Sequence, residues 1–135
     1  MTNAVVVYYE TQTAVASDNS NEERNYLSRA AVNRVPGIGY VLWEYRSSTR
    51  WCYDGSVLTK DPFWKVTHKE NVIYWEFVRH VDKSESGGKG DSEYSNYAEG
   101  HFRMCIPATN VCVNKYPNVT KNLYADGTYE TSVND

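Results

Sequence analysis

From Val72 to Val81 the side chains alternate in character with a period of two. Ile73, Trp75, Phe77 and Val81 fall on one face, and Glu76, His80 and Asp82 on the other. Only an extended chain sorts residues this way, because successive Cβ atoms of a strand point to opposite sides. A second run repeats the pattern: Ala98, Gly100, Phe102, Met104 and Ile106 point one way, Glu99, His101 and Arg103 the other. Two half-buried strands of this kind need a sheet with a covered face. That demand sets the fold class.

The rest of the chain reads in the same terms. Tyr40–Arg46 and Thr49–Tyr53 are expected as paired strands closed by Asp54-Gly55, followed by Val57–Thr59 and Phe63–His68 with Asp61-Pro62 between them. Ser84–Ser92 contains Gly87-Gly88-Lys89-Gly90 and reads as a flexible connection with no helix behind it to cradle an anion. Val119–Tyr124 and Thr128–Val133 flank Ala125-Asp126-Gly127, whose Asp-Gly chemistry predicts a type I′ hairpin. Many short strands with regular turns give an all-β protein, a single antiparallel sandwich or barrel-like sandwich over residues 36–135.

Residues 1–35 read as an N-terminal arm. Val5-Val6-Val7-Tyr8-Tyr9 is a strong strand former, Thr11–Asn21 is polar, and Ser20-Asn21-Glu22-Glu23 has the form of a helix capping box. Tyr26, Leu27, Ala30 and Ala31 follow at helical spacing, which predicts a short amphipathic helix to about Val32. The Val/Tyr run has two readings: an edge strand on the protein's own sheet, or a strand added to a partner. Left unpaired it would be an aggregation hazard.

Composition limits the function. The 135 residues carry 14 Lys+Arg against 17 Asp+Glu, a formal charge of -3. Nucleic-acid binding by phosphate neutralisation needs a basic surplus, so no nucleic-acid partner is expected. No apolar run reaches the roughly 20 residues that span a bilayer, so membrane insertion is not expected either. The first ten residues lack the basic and apolar regions of a signal peptide. The chain therefore reads as intracellular or as the mature form of a secreted protein.

The cysteines favour secretion. Cys105 and Cys112 bracket Pro107–Asn110, and a four-residue loop there sets Ile106 against Val111 and Cys105 against Cys112. Their Cβ atoms would then lie about 4.5–5.5 Å apart, close to disulfide separation. The plainer reading is two small buried hydrophobes. Cys52 is left over, either as a buried thiol or as a bond to another chain.

Trp51-Cys52-Tyr53-Asp54-Gly55-Ser56-Val57-Leu58-Thr59, Phe102-Arg103-Met104-Cys105, Cys112, Lys115-Tyr116-Pro117 and Asp126-Gly127-Thr128 together resemble small secreted β-sandwich proteins of actinobacteria. The resemblance covers roughly Tyr40 to Ser132. Some proteins of this kind look similar to adaptor subunits of antibacterial toxin particles, whose extended N-termini dock a lectin subunit. The resemblance implies a docking role for the arm.

Candidate chemistry is sparse. H-E-x-x-H, C-x-x-C, G-x-S-x-G and P-loop patterns do not occur, and no metal or cofactor is expected. His68, His80 and His101, with acids such as Glu76, Asp82, Glu93 and Glu99, would make an enzyme only by converging in one pocket. Cys52 lies between Trp51 and Tyr53, which favours a structural thiol. The twelve Tyr and four Trp are more informative, since amphipathic rings serve protein hot spots and sugar stacking alike. Trp43 and Trp75 are in phase with core positions. Trp51, Tyr94 and Tyr97 are the candidates for an aromatic binding face, beside Val5, Val6, Val7, Tyr8 and Tyr9 of the arm. The leading expectation is a non-enzymatic module that holds a protein partner by arm docking or strand addition. A carbohydrate-binding module and a small His/carboxylate enzyme are the alternatives.

Overall fold

The computed structural model describes residues 5–16, 22–35, 37, 39–72 and 74–135, with side chains for all of these except 5–16. Two antiparallel sheets face each other. The first is a meander of β1 (Val5–Ala16), β2 (Glu23–Arg34), β3 (Val41–Tyr53) and β4 (Phe63–Glu70), in that spatial order. The second runs β5 (Trp75–Gly87), β6 (Glu93–Ile106), β8 (Asn118–Tyr124), β9 (Tyr129–Asn134), with β7 (Val111–Lys115) paired to the far half of β6. Strands β7 and β8 lie in line along one side of β6, with Pro117 between them, and the Pro117 carbonyl accepts the Gly100 N–H. The all-β, antiparallel sandwich is thus observed.

Several local expectations are corrected. No helix occurs among the described residues: Glu23–Arg34 is strand β2, paired along its length with β1 and β3. The spacing of Leu27 and Ala31, one helical turn apart, also fits a strand, where both fall on the face that meets the second sheet. Ser20 and Asn21 of the capping box lie outside the described residues. Val41–Tyr53 is one strand, since Ser47 and Ser48 continue the ladder and their hydroxyls serve Trp64 Nε1 and Ser28. Strand β5 runs on to Gly87, so the Gly-rich turn begins at Gly88.

The Asp126 turn is not type I′. Gly127 alone has positive φ there, +88°, while the Asp126 carboxylate accepts the backbone N–H and the hydroxyl of Thr128. That side-chain turn leaves one position needing glycine. A Cβ on Gly127 would also lie 2.5 Å from the Tyr53 hydroxyl oxygen.

Between the sheets lie two apolar clusters. One gathers Ala31, Trp43, Tyr45, Trp75, Ala98, Phe102, Val119 and Val133. Trp43 stacks on Phe102, with centroids 4.4 Å apart and planes 15° from parallel. The other gathers Leu27, Trp51, Tyr53, Leu58, Tyr94, Leu123 and Ala125. Trp51 and Tyr94, read from sequence as surface candidates, are 1% and 2% exposed. They are core: Trp51 donates its indole N–H to the Tyr124 carbonyl, and the Tyr94 hydroxyl donates to Glu85. Alternation along β3 and β6 turns both rings inward.

Candidate functional site

A polar layer separates the two clusters. Lys121 is in phase with Val119 and Leu123 on β8 and so points into the sandwich, where it is fully buried. Its Nζ donates to the carbonyls of Leu27 and Ser47, at 2.9 and 2.7 Å, and to Thr49 Oγ1 at 3.2 Å. Thr49 Oγ1 also accepts from Asn96 Nδ2. Burial, and to a lesser degree the Arg46 charge, pull the ammonium down to about 7. All three donors of the ammonium are spent on the first sheet, so Lys121 acts as a bolt between sheets.

At one side of the sandwich β4 and β5 bring His68 and His80 together with Glu70. His68 stacks on Phe77 at 3.8 Å and its Nδ1 lies 3.1 Å from Glu70 Oε1, which also accepts the Phe77 N–H. His80 Nδ1 lies 2.9 Å from the Tyr45 hydroxyl. Burial, with Lys83 and His68 nearby, holds the His80 imidazolium below its ordinary range. Burial likewise pushes the Tyr45 phenol up. His80 reaches this face because β5 slips register between Phe77 and Arg79, and a second slip follows between His80 and Asp82. The strict alternation expected for Val72–Val81 is therefore broken, and Val78 and Val81 face solvent; Ile73 lies outside the described residues.

His101 is elsewhere, stacked on Tyr116 and bonded to Asn114. The described residues contain no group of three or more His, Cys, Asp or Glu able to hold a metal ion. Cys52 is a buried free thiol, and burial, then Glu22, push its thiol up. Cys105 and Cys112 stand opposite each other and form the disulfide, with Ile106 against Val111.

The solvent face of the second sheet is ordered in rows across four strands. Ser86, Ser95, Asn122 and Glu130 make one row; Ser84, Tyr97, Thr120 and Ser132 make the next. Tyr97 is half-buried, and its hydroxyl donates to Glu99 Oε1 at 2.8 Å. Burial and that carboxylate push its phenol up to about 12. A shallow hollow of about 270 Å³ surrounds it, lined by Ser84, Ser86, Ser95 and Thr120 among others. A second, of about 400 Å³, lies at the loop end against Ser56, Ser92, Tyr124, Asp126 and Thr128. The hydroxyl rows were missed in sequence because Ser84 and Ser86 read as part of a flexible connection and the rows depend on which strands pair and in what register.

Val5 to Tyr9 lie on β1, opposite Arg34, Asn33, Val32, Ala31 and Ala30 in turn. Of the two readings for this run, pairing with the protein's own sheet is the one observed. The ladder is unbroken over all twelve residues, and β1 ends the sheet among the described residues. No family model, curated protein or solved structure matches the chain. Among the described residues no helix is long and apolar enough to cross a membrane.

Proposed function

We propose that the protein is a secreted, non-enzymatic interaction module that holds a protein partner by strand addition at the β1 edge. The observation that carries this reading is the contrast between β1 and the other edge strands of the described residues, of which β7 has only five residues. Natural edges are blunted by bulges, charges or shortness, because a long flat edge pairs with whatever strand it meets. Strand β5 has two register slips, β4 carries Lys65, Lys69 and Glu70, and β9 has six residues. Strand β1 has twelve residues, no register slip and one charged residue, Glu10. An edge kept open in this way supplies main-chain hydrogen bonds for affinity and side-chain pattern for specificity. The Cys105–Cys112 disulfide supports an oxidising compartment. An adaptor or toxin-complex subunit is the form of module that the sequence resemblance suggests.

The test uses the alternation of strand N–H groups. Of the single variants Tyr9→Pro and Glu10→Pro, one removes a donor bonded to β2 and the other a donor on the open side. The open-side variant should keep the thermal midpoint of the native protein and lose the partner captured from native secreted material. Equal capture by both variants, or a complex holding only copies of this chain, overturns the reading.

A further inference from the structure

We propose that the solvent face of the second sheet, from Tyr97 to Tyr124, binds a neutral oligosaccharide, with the two rings as stacking platforms and the surrounding hydroxyls as hydrogen-bond partners. This is independent of the β1 edge, which belongs to the other sheet.

Three observations carry it. First, the face is divided by side-chain type. Around Glu76, Arg79 and His101 it carries long charged or aromatic side chains, with Arg103 paired to Glu76 and His101 stacked on Tyr116. The rows containing Ser84, Ser86, Ser95, Tyr97, Thr120 and Ser132 carry short hydroxyls around one ring, with Asn122 and Glu130 as their other two members. Short residues around a ring leave the hollow beside Tyr97.

Second, the arrangement is doubled. Tyr124 lines the loop-end hollow with Ser56, Ser92 and Thr128, as Tyr97 lines the other with its serines and Thr120. Tyr97 is opposite Thr120 on β8, so the two rings are four residues apart along that strand, about 13 Å at the rise of an extended chain. Asn122 lies midway, its Oδ1 accepting from the Ser95 hydroxyl at 2.7 Å. Two platforms at that separation, with an amide between them, suit a chain of several sugar rings laid along the strands.

Third, the ring settings and charge fit a neutral ligand. Tyr97 is tethered to Glu99, two residues along the same face, and the carboxylates of Glu130 and Glu93 lie near the Tyr124 hydroxyl. Both rings sit half-buried on the solvent face, so each keeps part of its surface open to a ligand. The apolar C–H side of a sugar packs on such a ring, while its rim of hydroxyls finds the Ser, Thr and Asn groups around it. Glu130 lies in one row, Glu93 and Glu99 flank the rows, Glu85 and Asp126 line the hollows, and neither row contains Lys or Arg. That sign of charge disfavours sulfated or uronic-acid chains.

The test is calorimetric titration of the full chain with cellohexaose, xylohexaose, mannohexaose, chitohexaose and a heparin hexasaccharide. At least one of the four neutral oligosaccharides should bind. Tyr97→Ala and Tyr124→Ala should each weaken that binding by about tenfold or more, and Tyr97→Phe, which keeps the ring, by no more than about threefold. Thermal melts of the variants should match the native protein, since both rings lie on the solvent face. Silence from all four neutral ligands, binding confined to heparin, or affinity unchanged in both alanine variants overturns the proposal. The open-side β1 proline variant should bind the oligosaccharide as the native chain does, which keeps this outcome separate from that of the partner experiment.

Discussion

Lys121 places its Nζ 2.7 Å from the carbonyl oxygen of Ser47, a strand away in the opposite sheet and out of reach of solvent. No carboxylate is among its hydrogen-bond partners; two main-chain oxygens and the Thr49 hydroxyl take the place of a counter-ion. The ammonium is solvated by protein, and its proton is held less firmly than in water.

Stability should therefore rise with pH above neutrality. The folded chain releases the Lys121 proton near 7, while the unfolded chain holds it to the ordinary value of 10.5. Across that window the unfolded state binds more protons, so raising the pH favours the folded state. His80, held below its ordinary 6.5, adds the same sign on the acid side. Tyr45 and Tyr94, pushed above 10, reverse the sign at higher pH. Urea unfolding between pH 7 and 9.5 should show an increasing midpoint, and Lys121→Met should flatten that rise.

Thr49 is the acceptor shared by Lys121 and Asn96. Thr49→Val keeps the shape and removes the oxygen, leaving two buried donors short of a partner. The expected loss is roughly 1–3 kcal/mol, and Thr49→Ser, which keeps the hydroxyl, should lose less. Equilibrium denaturation of the two variants checks this.

At Gly100 the constraint is space. A Cβ there would lie 2.6 Å from Tyr45 Cε1, and that ring is fixed by His80 and by contacts with Phe77 and Phe102. Gly100→Ala should cost about 1–3 kcal/mol through overpacking. The cost should shrink in a Tyr45→Leu background, which a double-mutant cycle measures.

Removing the disulfide should be tolerated. It closes a short hairpin already paired in register, so Cys105→Ser with Cys112→Ser should lose ~2 kcal/mol and still fold. Intact mass before and after reduction should differ by one disulfide's hydrogens, with Cys52 modified by thiol reagents only after unfolding.

The alternation along Ala98–Ile106 was legible as a strand, and the turn chemistry of Pro107–Asn110 placed the disulfide. What sequence left unread follows from register and tertiary override. Leu27 and Ala31 satisfy helical and extended spacing equally, and only the strands on either side decide between them. Trp51 and Tyr94 read as surface because flanking turns masked the strand phase that buries them. Lys121 shares the phase of Val119 and Leu123, a pattern that marks it as inward-facing, but a cation at a core position invites the opposite reading. The hydroxyl rows exist only across strands far apart in sequence.

The unequal edges set a limit on assembly. Polymer growth through strand pairing requires each subunit to offer two unguarded borders, one for the neighbour before it and one for the neighbour after. With bulged β5, charged β4 and brief β7 and β9, the described residues present one long unguarded border, β1. A complex of the proposed kind made there would close at one-to-one stoichiometry, leaving strand pairing no second border from which a fibre could grow.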